Sequence, residues 1–157
     1  YDISRFFADC QLSGVDGIIV PDMPFEERGE AAAAAEAFSV DLIPLVAPTS
    51  GERVPKIVSG ARGFIYCVSS LGVTGIRDRF ATDFEKVISK VRTYTDIPVA
   101  IGFGISGPEH IKLLKEHADG LIVGSAIVKR IAESRGPQDA VKNVGHFISE
   151  LKRSLVE

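Results

Sequence analysis

Glycine and serine gather behind apolar runs in this 157-residue chain, at Gly102-Phe103-Gly104-Ile105-Ser106-Gly107 and at Gly124-Ser125. Glycines let backbone N–H groups come close to a ligand, and a helix that follows adds partial positive charge at its first turn. Taken together, Gly102, Gly104, Gly124 and Ser125 point to a phosphate; any one of these glycines alone reads as a tight corner. A third stretch, Gly72-Val73-Thr74-Gly75, follows the run Ile65-Tyr66-Cys67-Val68. It reads as a hinged loop that can fold over a ligand and exclude water, with Arg77, Asp78 and Arg79 behind it as loop-surface charges.

Groups that could move a proton are scarce at these places. Asp22, in Pro21-Asp22-Met23-Pro24, either orients a ligand or partner or simply forms a turn between two prolines. Tyr66, late in its run, either faces a pocket or belongs to a core. His110, His117 and His146 fall on helical segments and read as surface or packing residues, and Glu26, Glu27 and Glu30 as a solvated helix face. No nucleophile–base pair, metal-ligand spacing or paired carboxylate follows any apolar run. General acid–base chemistry needs such groups beside the ligand, so the pattern is a phosphate grip without an evident acid and base.

The elements that must position these residues follow from a rhythm. Apolar runs occur at Gly17–Pro21, Asp41–Val46, Gly63–Val68, Pro98–Phe103 and Gly120–Gly124. Each is continuous rather than alternating, which predicts parallel strands buried on both faces. Helical patterns lie between them: Ser4 to Leu12, Glu26 to Phe38, Asp83 to Tyr94 with Thr82 or Asp83 as cap, Glu109 to Glu116 behind Gly107-Pro108, a short Ser125 to Ile131, and Gln138 to about Leu155. Alternating strands and helices with short links predict an α/β fold with a parallel sheet. Asp16-Gly17-Ile18-Ile19-Val20 recurs as Asp119-Gly120-Leu121-Ile122-Val123, each after a helix end. The reuse of one unit favours a (β/α) barrel over a doubly wound sheet and leaves the latter open. In such barrels the phosphate sits at the last two strand ends, beside a short extra helix, a part that Ser125 to Ile131 can play.

Composition narrows the partners. A formal charge of −3 and a pI near 5.7 argue against nucleic-acid or anionic-membrane surfaces, which call for excess Lys and Arg. No apolar stretch reaches the roughly 20 residues of a bilayer span. Cys10 and Cys67 lack metal-ligand spacing and read as small buried hydrophobes in a reducing cytoplasm. Residues 1–157 read as one domain, and the opening at Tyr1 reads as an internal piece of a longer chain.

The motifs "GVDGIIVPDMP", "DLIPLVAPTS", "GFIYCVSSLGVTG", "IGFGIS" and "GLIVGSAIV", in this order and spacing, resemble the tryptophan synthase alpha chain family over essentially the whole sequence. The resemblance implies part of a (β/α)8 TIM barrel, about five parallel strands with flanking helices corresponding to the fourth to eighth strands, with the first three absent. It implies a carbon–carbon lyase of tryptophan biosynthesis that cleaves indole-3-glycerol phosphate to indole and glyceraldehyde 3-phosphate. The positions matching the family's phosphate site are Gly75, Gly102, Gly104, Gly124 and Ser125. Those matching its indole pocket are Ile19, Leu45, Tyr66 and Phe103, and Thr74 matches the mobile loop. Asp22 and Pro24 match a segment near the beta chain, the partner that carries pyridoxal phosphate; this chain itself needs no cofactor and no metal. The family's catalytic glutamate and aspartate have no counterpart here, so no residue of this chain is expected to be catalytic. Two other readings stand beside this one: a non-catalytic phosphate-binding half-barrel, and another phosphate-binding barrel enzyme. A partial barrel has open edges and is expected to self-associate. The expected compartment is the cytoplasm, or a plastid if the source is a plant.

Overall fold

Proline has no N–H to give to a sheet ladder, and Pro44 stands in the middle of the second apolar run. The computed structural model describes residues 1–68, 77–102 and 104–157, and in it this run is split. Strand β1 (Gly17–Ile19) pairs in parallel with β2 (Asp41–Ile43), Gly17 opposite Asp41 and Ile19 opposite Ile43. Strand β3 (Leu45–Val46) resumes directly after Pro44 and pairs on its other side with β4 (Ile65–Val68). Next come β5 (Val99–Gly102) and β6 (Gly120–Ile122), also parallel, so that neighbours in the sheet are neighbours in sequence. The five expected runs thus give six strands. Tyr66 N–H donates to the Pro44 carbonyl at 3.0 Å, which ties the two sheets across the split. Strictly sequential parallel strands with flanking helices make this a partial barrel rather than a doubly wound sheet, in which the order reverses.

The helices form where capping and composition allow. Helix α1 (Ile3–Leu12) starts with the Asp2 carboxylate accepting the Arg5 N–H at 2.9 Å. It stops at Gly14, whose φ of +73° suits a glycine, with Val15 N–H reaching back to the Cys10 carbonyl. Helix α2 (Gly29–Ala37) follows a 3-10 turn at Phe25–Glu27, so the expected Glu26–Phe38 helix is shorter and bent at its start. A 3-10 segment at Pro48–Arg53 and helix α3 (Val54–Val58) fill a link that the sequence pattern left as loop. Helix α4 (Arg77–Arg92) begins six residues before the expected Asp83. Positions 82 and 83 therefore lie inside the helix rather than at its start, and 77–79 are helix, not loop. Arginine and alanine are good helix formers, and nothing in 77–82 opposes a helical backbone. Helices α5 (Pro108–Leu114), α6 (Ser125–Ala132) and α7 (Pro137–Val156) match the pattern closely, two of them opened by proline at the first turn.

Two cores result. The larger joins the helix-facing side of β3 to β6 with α3, α4, α5 and α7, and within it Ile65, Cys67, Val99 and Ile101 have no exposed surface. The smaller holds Phe7, Cys10, Ala31, Ala35 and Val40, between α1, α2 and the first two strands. Both cysteines are buried and unbridged, and burial pushes the Cys67 thiol up to about 12. Among the described residues no group of His, Cys, Asp or Glu could hold a metal, and no helix is long and apolar enough to cross a membrane.

Candidate functional site

Alternation along the strands corrects the expectation of two buried faces. In β4, Ile65 and Cys67 are dry against the helices while Tyr66 and Val68 are half-exposed on the opposite face. In β5, Val99 and Ile101 are dry and Ala100 is half-exposed. The register sets Leu45, Tyr66, Ala100 and Gly120 in one row across that second face, with Val68, Gly102 and Ile122 in the next. Ile19, opposite Ile43 in the other sheet, is 40% exposed. No layer covers this face among the described residues, so its apolar side chains form an open wall. The wall includes three residues expected in the indole pocket: Ile19, Leu45 and Tyr66.

Tyr66 lies across Gly102. A Cβ on residue 102 would overlap the tyrosine hydroxyl and ring, so glycine is required there for close packing as well as for access to backbone. The ring in turn buries Gly102. Burial raises the pKa of Tyr66, so the phenol stays neutral at physiological pH and presents an aromatic surface rather than a base.

The strand ends beyond this wall converge. Gly102 pairs with Ile122, and the chain leaves each strand through a glycine two residues on. Gly104 is exposed with φ +76°, a backbone state that favours glycine. Gly124, also exposed, is the N-cap of α6, and Ser125 is the first residue of that helix. No side chain caps α6; Ile127 and Val128 N–H donate to the Gly124 carbonyl, which leaves the N–H groups of Ser125 and Ala126 at the helix start to water or a ligand. Gly102, Gly104, Gly124 and Ser125 thus lie at the carboxyl ends of two paired strands. Thr74, Gly75 and Phe103 lie outside the described residues. Asp22 and Pro24, exposed in the loop after β1, stand on the other sheet and away from this pair of strand ends.

His110, expected as a surface or packing residue, holds a local contact: its Nδ1 accepts the Ser106 backbone N–H at 3.1 Å, and the Ser106 hydroxyl lies 3.3 Å away. It stands at the third position of α5 and reaches back to the residue before the N-cap. This resembles half of a capping box moved by one residue. The bond ties down the loop that carries Gly104. The signal was present in the Ser106-to-His110 spacing, but a histidine is not the usual residue for that role. The remaining histidines, His117 and His146, stay on helix ends and faces.

The sequence pattern that defines the tryptophan synthase alpha chain matches residues 1–156. The chain belongs to the tryptophan synthase alpha chain family. It is 45% identical over 155 residues to the tryptophan synthase alpha chain of Clostridium kluyveri, covering 99% of this chain and 59% of that one. The Caldanaerobacter subterraneus alpha chain is 47% identical over the same length and with the same coverage. Among solved structures, the Campylobacter jejuni alpha subunit superposes with a TM-score of 0.86 at 33% identity, covering 96% of this chain and 59% of that one. A chain from the Pyrococcus furiosus tryptophan synthase a2b2 complex gives 0.84 at 34% identity, covering 97% and 61%. The chain therefore spans about three fifths of the length of these relatives. Membership of the tryptophan synthase alpha family sets aside the reading as a different phosphate-binding barrel enzyme.

Proposed function

We propose that this chain supplies the phosphate grip and one wall of the indole pocket of a tryptophan synthase alpha chain, the lyase that cleaves indole-3-glycerol phosphate to indole and glyceraldehyde 3-phosphate. The observation that carries the reading is Tyr66 lying over Gly102 on the open strand face, with Gly124 and Ser125 opening α6 at the paired strand end. The phosphate is received by backbone N–H groups of Gly104, Gly124 and Ser125, whose partial positive charge suits an anion. The indole rests on Ile19, Leu45 and Tyr66. On the family match of their motifs alone, Gly75 is assigned to the phosphate, and Thr74 and Phe103 to the indole pocket and its loop. The last two strands of this chain act as the seventh and eighth of the barrel, because a short helix precedes the long closing one, as in barrel phosphate sites.

The proton transfers belong to a glutamate and an aspartate from strands outside this sequence, for the described strand ends offer no paired carboxylates. Asp22 and Pro24 face the beta chain, which holds the pyridoxal phosphate; the alpha side uses none. The compartment that suits two free buried cysteines is the cytoplasm. The open edges of β1 and β6 suit self-association or cover by further strands.

Indole release from indole-3-glycerol phosphate by the 157-residue chain tests the catalytic half of this reading. Each missing acid or base is worth roughly 10²–10⁴-fold, so no turnover is expected. Clear turnover would show that this chain holds its own acid and base. A non-catalytic half-barrel is the second reading, favoured by the missing carboxylates. It predicts retained glycerol-phosphate binding even when the upstream frame encodes no further strands; an upstream frame supplying three strands with Glu and Asp at their ends would refute it.

A further inference from the structure

The split at Pro44 leaves a gap on the molecule. Met23 and Leu42 pack against the smaller core, Phe25 and Ile57 against the larger. Between them is a cavity of about 190 Å³ that neither core fills. Of the strand-face residues described above only Ile43 and Leu45 reach it; Ile19, Tyr66 and Gly102 do not. Its lining side chains are apolar apart from Arg28, Arg53 and the buried Ser50, and backbone groups add further polar surface.

Arg28 is half-buried and carries an unbalanced charge. Its Nη2 donates to the Leu42 carbonyl at 3.2 Å, and the guanidinium lies 5.5 Å from the centre of the Phe25 ring. No carboxylate lies within ion-pair distance of it among the described residues. Burial alone lowers its pKa, the mark of desolvation without a counter-charge, although a guanidinium keeps its proton in any protein. One of five N–H donors is used, so a partly dehydrated cation faces the cavity with donors to spare. Arg53 stands at the rim, held to Glu26 at only 3.9 Å with both side chains largely exposed, a tie weak enough to release. The Ser50 oxygen accepts the Ala47 N–H at 2.9 Å, which leaves its own proton available.

We infer that this cavity binds a carboxylate carried on a short apolar body, with Arg28 as the counter-ion. A guanidinium edge matches a carboxylate in a two-bonded fork. One half-buried cation balances the single negative charge of a carboxylate, and the apolar side chains around it suit a hydrocarbon body. Met23, Leu45 and Ile57 accept a branched or flat hydrocarbon part. The volume lies below the roughly 300 Å³ where drug-sized ligand sites begin, so the body is only a few heavy atoms. The site stands independently of the phosphate reading, since it shares none of Gly102, Gly104, Gly124 or Ser125.

The test is an amide-shift titration of the 157-residue chain by NMR, with sodium 3-methylbutanoate as probe and 3-methylbutanamide as its neutral counterpart. The acid is expected to move the amides of Met23, Phe25, Arg28 and Ser50 saturably. It should bind at least about tenfold tighter than the neutral amide, as a charge-assisted hydrogen-bond pair requires. Arg28→Gln should abolish that preference while the rest of the spectrum keeps its dispersion, and Arg28→Lys should keep only part of it because the fork is lost. Equal binding of acid and neutral amide by the unmodified chain would overturn the inference, whatever the variants do. So would the absence of saturable shifts at millimolar acid, or an Arg28→Gln chain that still prefers the acid.

Discussion

On one side of Pro44, β4 and β5 carry Ile65, Cys67, Val99 and Ile101 with no exposed surface; on the other, β1 and β2 rest on a smaller buried cluster of Phe7, Cys10, Ala31, Ala35 and Val40. The same helix-to-strand unit opens both sides, Asp16-Gly17-Ile18-Ile19 and Asp119-Gly120-Leu121-Ile122, but it is used differently. The Asp119 carboxylate accepts the Val99 N–H at 2.8 Å and meets Arg92 at 3.4 Å. For Asp16, the recorded tie is its backbone carbonyl, which accepts the Asp41 N–H at 2.8 Å. The deep side thus holds its strands by core and by side-chain hydrogen bond, and it carries the loops proposed to receive a phosphate. The shallow side holds the Pro21-to-Phe25 loop, and its short three-residue strands depend on two helices of which one is mostly alanine. The denser packing lies where an anion is proposed to bind, and the thinner packing where a partner is proposed to dock.

The comparison is broken most severely by removing core from the deep side. Ile101→Ala should cost about 2–5 kcal/mol, the range for deleting a fully buried aliphatic side chain, and the loss should appear in urea unfolding of the whole chain. Phe7→Ala on the shallow side removes a comparable side chain. It is expected to speed amide hydrogen exchange in β1 and β2 while leaving exchange in β4 and β5 unchanged. If Phe7→Ala unfolds both sides together, the two cores are one cooperative unit and the distinction fails.

Gly102→Ala comes next, at about 1–3 kcal/mol for forcing a methyl into an occupied place. Because the obstacle is the Tyr66 side chain, adding Tyr66→Ala should recover part of that stability, a coupling expected of residues in contact. Calorimetric melting of the two single variants and the double variant reads it. Additive losses would mean that the tyrosine does not hold this glycine.

The smallest effect compares the two aspartates. Asp119→Asn should cost about 1 kcal/mol, the scale of a hydrogen bond to a charged group discounted for an exposed site, and Asp16→Asn should cost less. The hydrogen bond from Val99 N–H, ahead of the neighbouring Arg92, depresses the Asp119 pKa in the folded chain. A depressed carboxylate pKa contributes stability that is complete above the unfolded value of about 3.9 and fades as pH falls through the lower folded value. Urea midpoints of the parent and Asp119→Asn should therefore differ at pH 6 and converge at strongly acid pH (prediction from the direction of the shift). A difference that grows toward acid pH would contradict it.

Much of this was legible in the residues. Continuous β-branched runs located the strands, Gly107-Pro108 and Gly136-Pro137 marked helix starts, and the order of the strand ends located Gly102, Gly104, Gly124 and Ser125. Less legible was which face of each strand would be covered, since a continuous apolar run looks the same whether its second face meets helices or stands open. Pro44 did announce the split, because a residue without an N–H cannot serve a continuous ladder, but the apolar run around it masked the signal. The start of α4 was hidden by its charged opening, which resembles a loop in composition. Arg28 was hidden among Glu26, Glu27 and Glu30, whose solvated pattern gave no sign that one cation would turn inward.

The central claim is that the paired ends of β5 and β6 receive a phosphate. It is tested most directly by titrating the 157-residue chain with glycerol 3-phosphate and following backbone amides by NMR. The account predicts saturable shifts centred on Gly104, Gly124 and Ser125, matched by inorganic phosphate and absent with glycerol. Shifts elsewhere, or none at these residues at millimolar ligand, would contradict it.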